Sequence, residues 1–161
     1  MKLKSLLTVM AVLFALSFCN ASCGNDNHTA PQDNKNENEN TNTNSASKMK
    51  ITIGTAVFTA TLYNNPSAAA LKAVLPLTID MTELNGNEKY YNFPSPLPAN
   101  ASIGGDIKPG DLTLYGGNVL VLFYKSFNTS YSYTKLGYID NPAGLAAALG
   151  NGNVIVKFEN K

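Results

Sequence analysis

Residues 130–140 read SYSYTKLGYID, placing Tyr131, Tyr133 and Lys135 at alternate positions. In a strand, alternate side chains share one face. Two phenol rings and an ammonium on one face supply apolar contact, hydroxyl hydrogen bonds and a positive charge. That combination recognises a ligand by shape and hydrogen bonding and breaks no bonds. A lysine disfavours a filled interior. The Tyr131–Tyr133–Lys135 face is therefore expected to point outward as an exposed groove, with Leu136 packing inward. The alternative is ordinary cross-strand aromatic pairing on a solvated sheet. Glu88, Tyr90, Tyr91 and Phe93, just before a proline-rich stretch, are expected to form a second wall. Asp111 follows Gly110, where its carboxylate can hold a ligand's polar group or tie the loop backbone. The candidate ligand-binding residues are thus Tyr131, Tyr133, Lys135, Glu88, Tyr91, Phe93 and Asp111. Phe123 and Tyr115 read as core.

Missing residue types exclude several chemistries. All twelve basic residues are lysines, and the single histidine, His28, lies outside the apolar, patterned region. Both cysteines, Cys19 and Cys23, are near the N-terminus. From residue 49 onward there is no Arg, His, Cys or Trp. A Ser–His–Asp triad, a Cys–His pair and a His- or Cys-based metal site are therefore excluded there. Bidentate guanidinium recognition is excluded as well. Seven carboxylates remain, scattered over loops and strand ends, and neither GTAVFTA nor GGDIKPGD matches a phosphate-binding fingerprint. No catalytic residue, cofactor or metal is expected. The near-neutral charge gives no basic patch for nucleic acid.

The elements that must hold these residues are mostly strands. MKITI and TAVFTATLY alternate around Gly54-Thr55, with Phe58, Ala60 and Leu62 on one face. In NNPSAAALKAVLP, Asn65 caps, Pro66 opens and Pro76 closes a short helix. LTIDMTEL and KYYNF form the next two strands across Asn85-Gly86. PSPLPANASIGGDIKPG has no period and reads as a long loop. DLTLY and NVLVLFY make a hairpin across Gly116-Gly117, and YSYTKLGYI follows. In DNPAGLAAALG, Asn141 is expected to cap a second short helix that stops at Gly150, and NVIVKFE closes the sheet. Eight mostly antiparallel strands and two short helices fit a small closed barrel with side chains filling its lumen and helices capping its ends.

The N-terminus reads as an address. Two lysines, an apolar run from Leu6 to Phe18 and small residues have the form of a secretory signal. A cysteine after small residues resembles a bacterial lipoprotein signal, with Cys23, after Ala21 and Ser22, as the lipidated residue. Residues 1–22 are thus expected to be the signal peptide. Residues 23–48, rich in asparagine and nearly free of apolar side chains, form a disordered tether. Residues 49–161 form the folded domain. The protein is expected in the cell envelope, anchored by lipid and favouring the outer membrane.

The stretches GDLTLYGGNVLVLFYKS, SYSYTKLGYIDNPAGLAAALG and NVIVKFE, together with LPLTIDMTELNGNEKYYNFPSPLP, resemble the bacterial cyclophilin-like family over nearly all of residues 49–161. The resemblance implies a closed eight-stranded cyclophilin-like barrel capped by two helices. Some members stand beside flavodoxin-type redox proteins, which raises the role of accessory partner to a redox enzyme. True cyclophilins are prolyl isomerases whose groove uses an arginine, and Lys135 stands where family members usually carry one. A lysine lacks the planar fork. The reading is therefore a tethered, non-catalytic domain binding a small molecule or extended peptide. A weak prolyl isomerase or chaperone is the alternative.

Overall fold

The computed structural model describes residues 46–161. The expected signal peptide, Cys23 and almost all of the tether lie outside the described residues. Alternation in SKMKITI and AVFTATL produces β1 (Ser47–Ile53) and β2 (Ala56–Leu62), a hairpin in full register from Ser47↔Leu62 to Ile53↔Ala56. β1 begins two residues before the expected boundary at Met49, because the β2 edge continues far enough to pair Ser47 and Lys48. Helix α1 (Pro66–Ala73) starts as expected: Asn65 accepts a hydrogen bond from the Ala68 N–H at 2.8 Å, and Pro66 occupies the first turn.

The remaining elements are β3 (Leu77–Leu84), β4 (Glu88–Asn92), β5 (Ser102–Ile107), β6 (Asp111–Tyr115), β7 (Val119–Phe123), β8 (Phe127–Ile139), α2 (Leu145–Leu149) and β9 (Val154–Asn160). The strands run β2-β1-β9-β3-β4-β7-β6-β8, and β8 returns to β2 through Ala60↔Ile139, Thr61↔Tyr138 and Leu62↔Gly137. This is the expected closed eight-stranded antiparallel barrel, with one strand more. Closure requires Gly137, since a Cβ there would lie 2.3 Å from the Thr61 carbonyl oxygen.

Inward alternation fills the lumen. Leu112 and Leu114 of β6, Leu120 and Leu122 of β7, Leu136 of β8 and Phe158 of β9 are fully or almost fully buried in one cluster, joined by Leu71 of α1 and Leu149 of α2. Each such side chain contributes about 1.5–3 kcal/mol by leaving water.

The additional strand is β5, inside the segment expected to be a loop. The thirteen-residue β8 outruns the barrel wall, and β5 pairs with its free N-terminal half, from Ser102↔Tyr133 to Ile107↔Phe127. Gly104 permits the close approach, because a Cβ there would meet the Thr129 methyl at 2.8 Å and the Tyr133 ring at 3.0 Å. The β5–β8 ribbon covers the outer face of the barrel and makes a second core of Ile107, Val121, Phe123 and Tyr133. Helix α2 also differs at its start. Its N-cap is Gly144, and Asn141 instead accepts a hydrogen bond from the Ala143 N–H at 3.1 Å, a local turn.

Candidate functional site

The second core ends in an open groove. Glu88 and Tyr90 of β4, Tyr115 of β6, Val119 and Val121 of β7, and Tyr131 and Tyr133 of β8 line a concavity of about 240 Å³ with Leu84 and Asn85 at one end. Alternation explains the gathering. Glu88, Tyr90, Val119 and Val121 all lie on the outer face of the wall, opposite the buried Leu120 and Leu122. The Tyr115 ring meets Tyr131 edge-on at 6.2 Å between centroids and Tyr133 at 5.7 Å. Tyr133 in turn lies edge-on to Phe123 at 5.5 Å, which fixes the floor.

Glu88 is the charged side chain of this groove among the described residues. It is 9 % exposed and takes part in no hydrogen bond or ion pair among them. Burial, and then repulsion from Glu83, push its carboxyl above the usual value. The side chain is mostly enclosed, but its carboxylate oxygens are not among the fully enclosed atoms without a partner in the described residues, which are Asn87 Oδ1 and Thr113 Oγ1. The charge faces the open groove, and shifted carboxyls of this kind concentrate at functional sites.

The sequence-derived candidates are separated by this geometry. Glu88, Tyr131 and Tyr133 come together in the groove. Tyr131 is 64 % exposed, as an outward side chain should be, but Tyr133 is 8 % exposed. Both point out of the barrel, and Tyr133 is buried because the outer face there is itself packed. Lys135 is exposed but lies apart from the groove. It lines a small cavity of about 30 Å³ with Asp111 and Tyr63, and also a shallow hollow of about 360 Å³ between the start of α1 and the Pro98–Asn100 loop. Asp111 ties its own loop: its carboxylate accepts the Lys108 N–H at 2.9 Å while its N–H donates to the Lys108 carbonyl at 3.1 Å. Tyr91 and Phe93 have the other parity of β4, turn toward the lumen and pack edge-on at 5.5 Å within the main core. They belong to the interior and not to an exposed wall.

Tyr115 was expected in the core and is 44 % exposed at the groove. Its signal in the sequence was weak: it ends β6 at the Gly116-Gly117 turn, past the last inward leucine. Lys89 was the residue least legible from sequence. It is fully buried and bridges Glu83 and the carbonyl oxygens of Gly150 (2.9 Å) and Gly152 (2.6 Å). The Tyr124 hydroxyl donates to the Glu83 carboxylate at 2.8 Å, and burial followed by that carboxylate pushes the Tyr124 hydroxyl up to about 12. Burial alone would raise Glu83, yet the hydrogen bonds from Lys89, Tyr124 and the Gly86 N–H outweigh it and hold the carboxyl below its usual value.

The sequence profile of the cyclophilin-like family matches residues 51–159. The chain belongs to the cyclophilin-like family. The match runs from the second half of β1 to the penultimate residue of β9 and includes every residue of the groove. The fold also resembles the solution structure of a hypothetical protein from Archaeoglobus fulgidus, with a TM-score of 0.57 at 17 % identity, covering 72 % of this chain and 95 % of the archaeal one. At that identity the likeness concerns the fold alone. No curated protein matches the chain. The chain carries no arginine at any position.

Proposed function

We propose that this cyclophilin-like domain is a non-catalytic binding module, held at the cell envelope by a lipid on Cys23, whose groove takes a small molecule or the side chain of an extended peptide. The observation that carries the reading is the convergence of Glu88, Tyr90, Tyr115, Tyr131 and Tyr133 from three strands around one open concavity. Rigid aromatic walls with a single charged group match the makeup of small-ligand sites. The aromatic walls stand on strands, β4, β6 and β7 of the barrel and the β5–β8 ribbon, so the geometry is largely pre-organised and little ordering entropy is lost on binding. A concavity of about 240 Å³ admits a compact molecule and not a large cofactor. The peptide form of the reading draws on β5, an edge strand that pairs with β8 on one side and offers its other edge to an added strand.

The test is native mass spectrometry of the full protein extracted with mild detergent from a bacterial cell envelope. A reproducible extra mass, lost on denaturation and absent in Tyr131→Ala, is the expected result. A bare mass in both proteins overturns the small-molecule form. For the anchor, Cys23→Ser is expected to release the protein from membranes whereas Cys19→Ser leaves it bound. Membrane retention of the Cys23 variant removes that residue as the lipid site.

A further inference from the structure

Taking the groove as a binding site, as proposed above, its chemistry narrows what it can bind. Glu88 sits in it 9 % exposed, with no hydrogen bond or ion pair among the described residues. The lysine next in sequence, Lys89, faces the other way and is occupied by Glu83 and two carbonyl oxygens inside the barrel. Lys135 lines neighbouring hollows and not this one. The charge of Glu88 therefore goes unbalanced in a concavity whose other lining is tyrosine rings, valines, a leucine and the uncharged Asn85.

Aromatic faces carry negative potential and attract cations within about 6 Å of the ring centroid. A carboxylate and several phenol rings thus act with the same sign: they repel an anion, give a neutral apolar molecule no return for desolvating Glu88, and favour a cation twice over. A lone carboxylate is too few ligands for a divalent metal. An organic ammonium needs no more than one.

We propose that the groove selects an organic cation, its ammonium group seated between the Glu88 carboxylate and the rings of Tyr115 and Tyr131, its apolar body lying along Val119 and Val121. The penalty that burial and Glu83 impose on ionised Glu88 is relieved when the cation arrives. Binding energy and groove chemistry therefore point the same way.

Phenethylammonium and its neutral analogue 2-phenylethanol make the test, titrated into the intact isotope-labelled chain with the tyrosine ring signals followed by NMR. The expected result is that phenethylammonium shifts Tyr115 and Tyr131 and binds at least about tenfold more tightly than the alcohol, since a charge-assisted hydrogen bond outweighs a neutral one. Glu88→Gln is expected to abolish that preference while both compounds still bind weakly. Equal affinity for the two compounds, or a preference unchanged in Glu88→Gln, overturns the cation and leaves the groove in place. If neither compound moves the tyrosine signals, the groove reading falls, and the cation with it.

Discussion

Two carboxylates on one hairpin live in opposite surroundings. Glu83 pairs across the ladder with Lys89, and Leu84, the next residue, pairs with Glu88. One step along the strand moves the side chain from one side of the barrel wall to the other. On the inner side, Glu83 accepts from Lys89, Tyr124 and the Gly86 N–H, and its carboxyl is held below the usual value. On the outer side, Glu88 has no such partner and its carboxyl is pushed up. The inner cluster is a satisfied network that fastens the segment after α2, through Gly150 and Gly152, to the barrel. The outer one is an unsatisfied charge beside exposed rings. Complete satisfaction marks a structural device, whereas the mostly enclosed Glu88, whose charge has no partner among the described residues and faces the groove, is what the proposed binding reading rests on.

The contrast is broken most severely at Lys89. Lys89→Ala strands a carboxylate and two carbonyl oxygens and is expected to cost about 3–5 kcal/mol, read as a lowered urea midpoint; a loss below about 1 kcal/mol would mean that the inner network is not structural. Next comes Tyr133, which forms the floor of the groove but belongs to the second core. Tyr133→Ala is expected to cost about 3 kcal/mol, so a full-stability variant would show that the β5–β8 ribbon is not packed as described.

The carboxylates themselves separate by pH. Glu83, with its pKa lowered on folding, stabilises the fold above the ordinary carboxylate range, and that contribution is lost as the pH falls through its depressed folded value. Glu88, with its pKa raised, carries a penalty absent at low pH that grows as the pH rises from the ordinary value through its raised folded value. Glu83→Gln should therefore lower stability at neutral pH with little effect in acid. Glu88→Gln should raise stability at neutral pH, again with little effect in acid. Parallel pH–stability curves for the two variants would abolish the distinction. The smallest effect is expected at Tyr131, which is 64 % exposed. Tyr131→Ala should change stability by no more than about 0.5 kcal/mol while weakening any groove ligand. A large destabilisation would make Tyr131 a packing residue.

Much of the barrel was legible because its strands alternate plainly and its turns carry Gly or Asn-Gly signals. β5 was not, because SIGGDI has two adjacent glycines and no apolar period. It is a strand only because β8 is long enough to offer a free edge. The groove was half legible. Tyr131, Tyr133 and Glu88 were identified as site candidates, but the grouping of Lys135 with them assumed one open face along the whole of β8. The β6–β8 bulge lies beyond Lys135, where Leu112 pairs with Gly137 but Thr113 with Lys135, so Tyr133 and Lys135 keep one face. They part because Tyr133 packs into the second core while Lys135 borders the hollows beside Tyr63, Asp111 and Asn65. The grouping of Tyr91 and Phe93 with Glu88 ignored the change of parity along β4.

The sequence by itself determined that residues 49–161 contribute no Arg, His, Cys or Trp side chain to any site, since folding cannot supply a residue type that is absent. It also determined the strand faces, since period-two burial is a local pattern. Which outward face stays wet was decided only by tertiary structure. An outward side chain in a barrel is exposed until another segment lies over it, and the β5–β8 ribbon, built from contacts far apart in the chain, is what buries Tyr133, leaves Tyr131 open and closes Glu88 in without a partner.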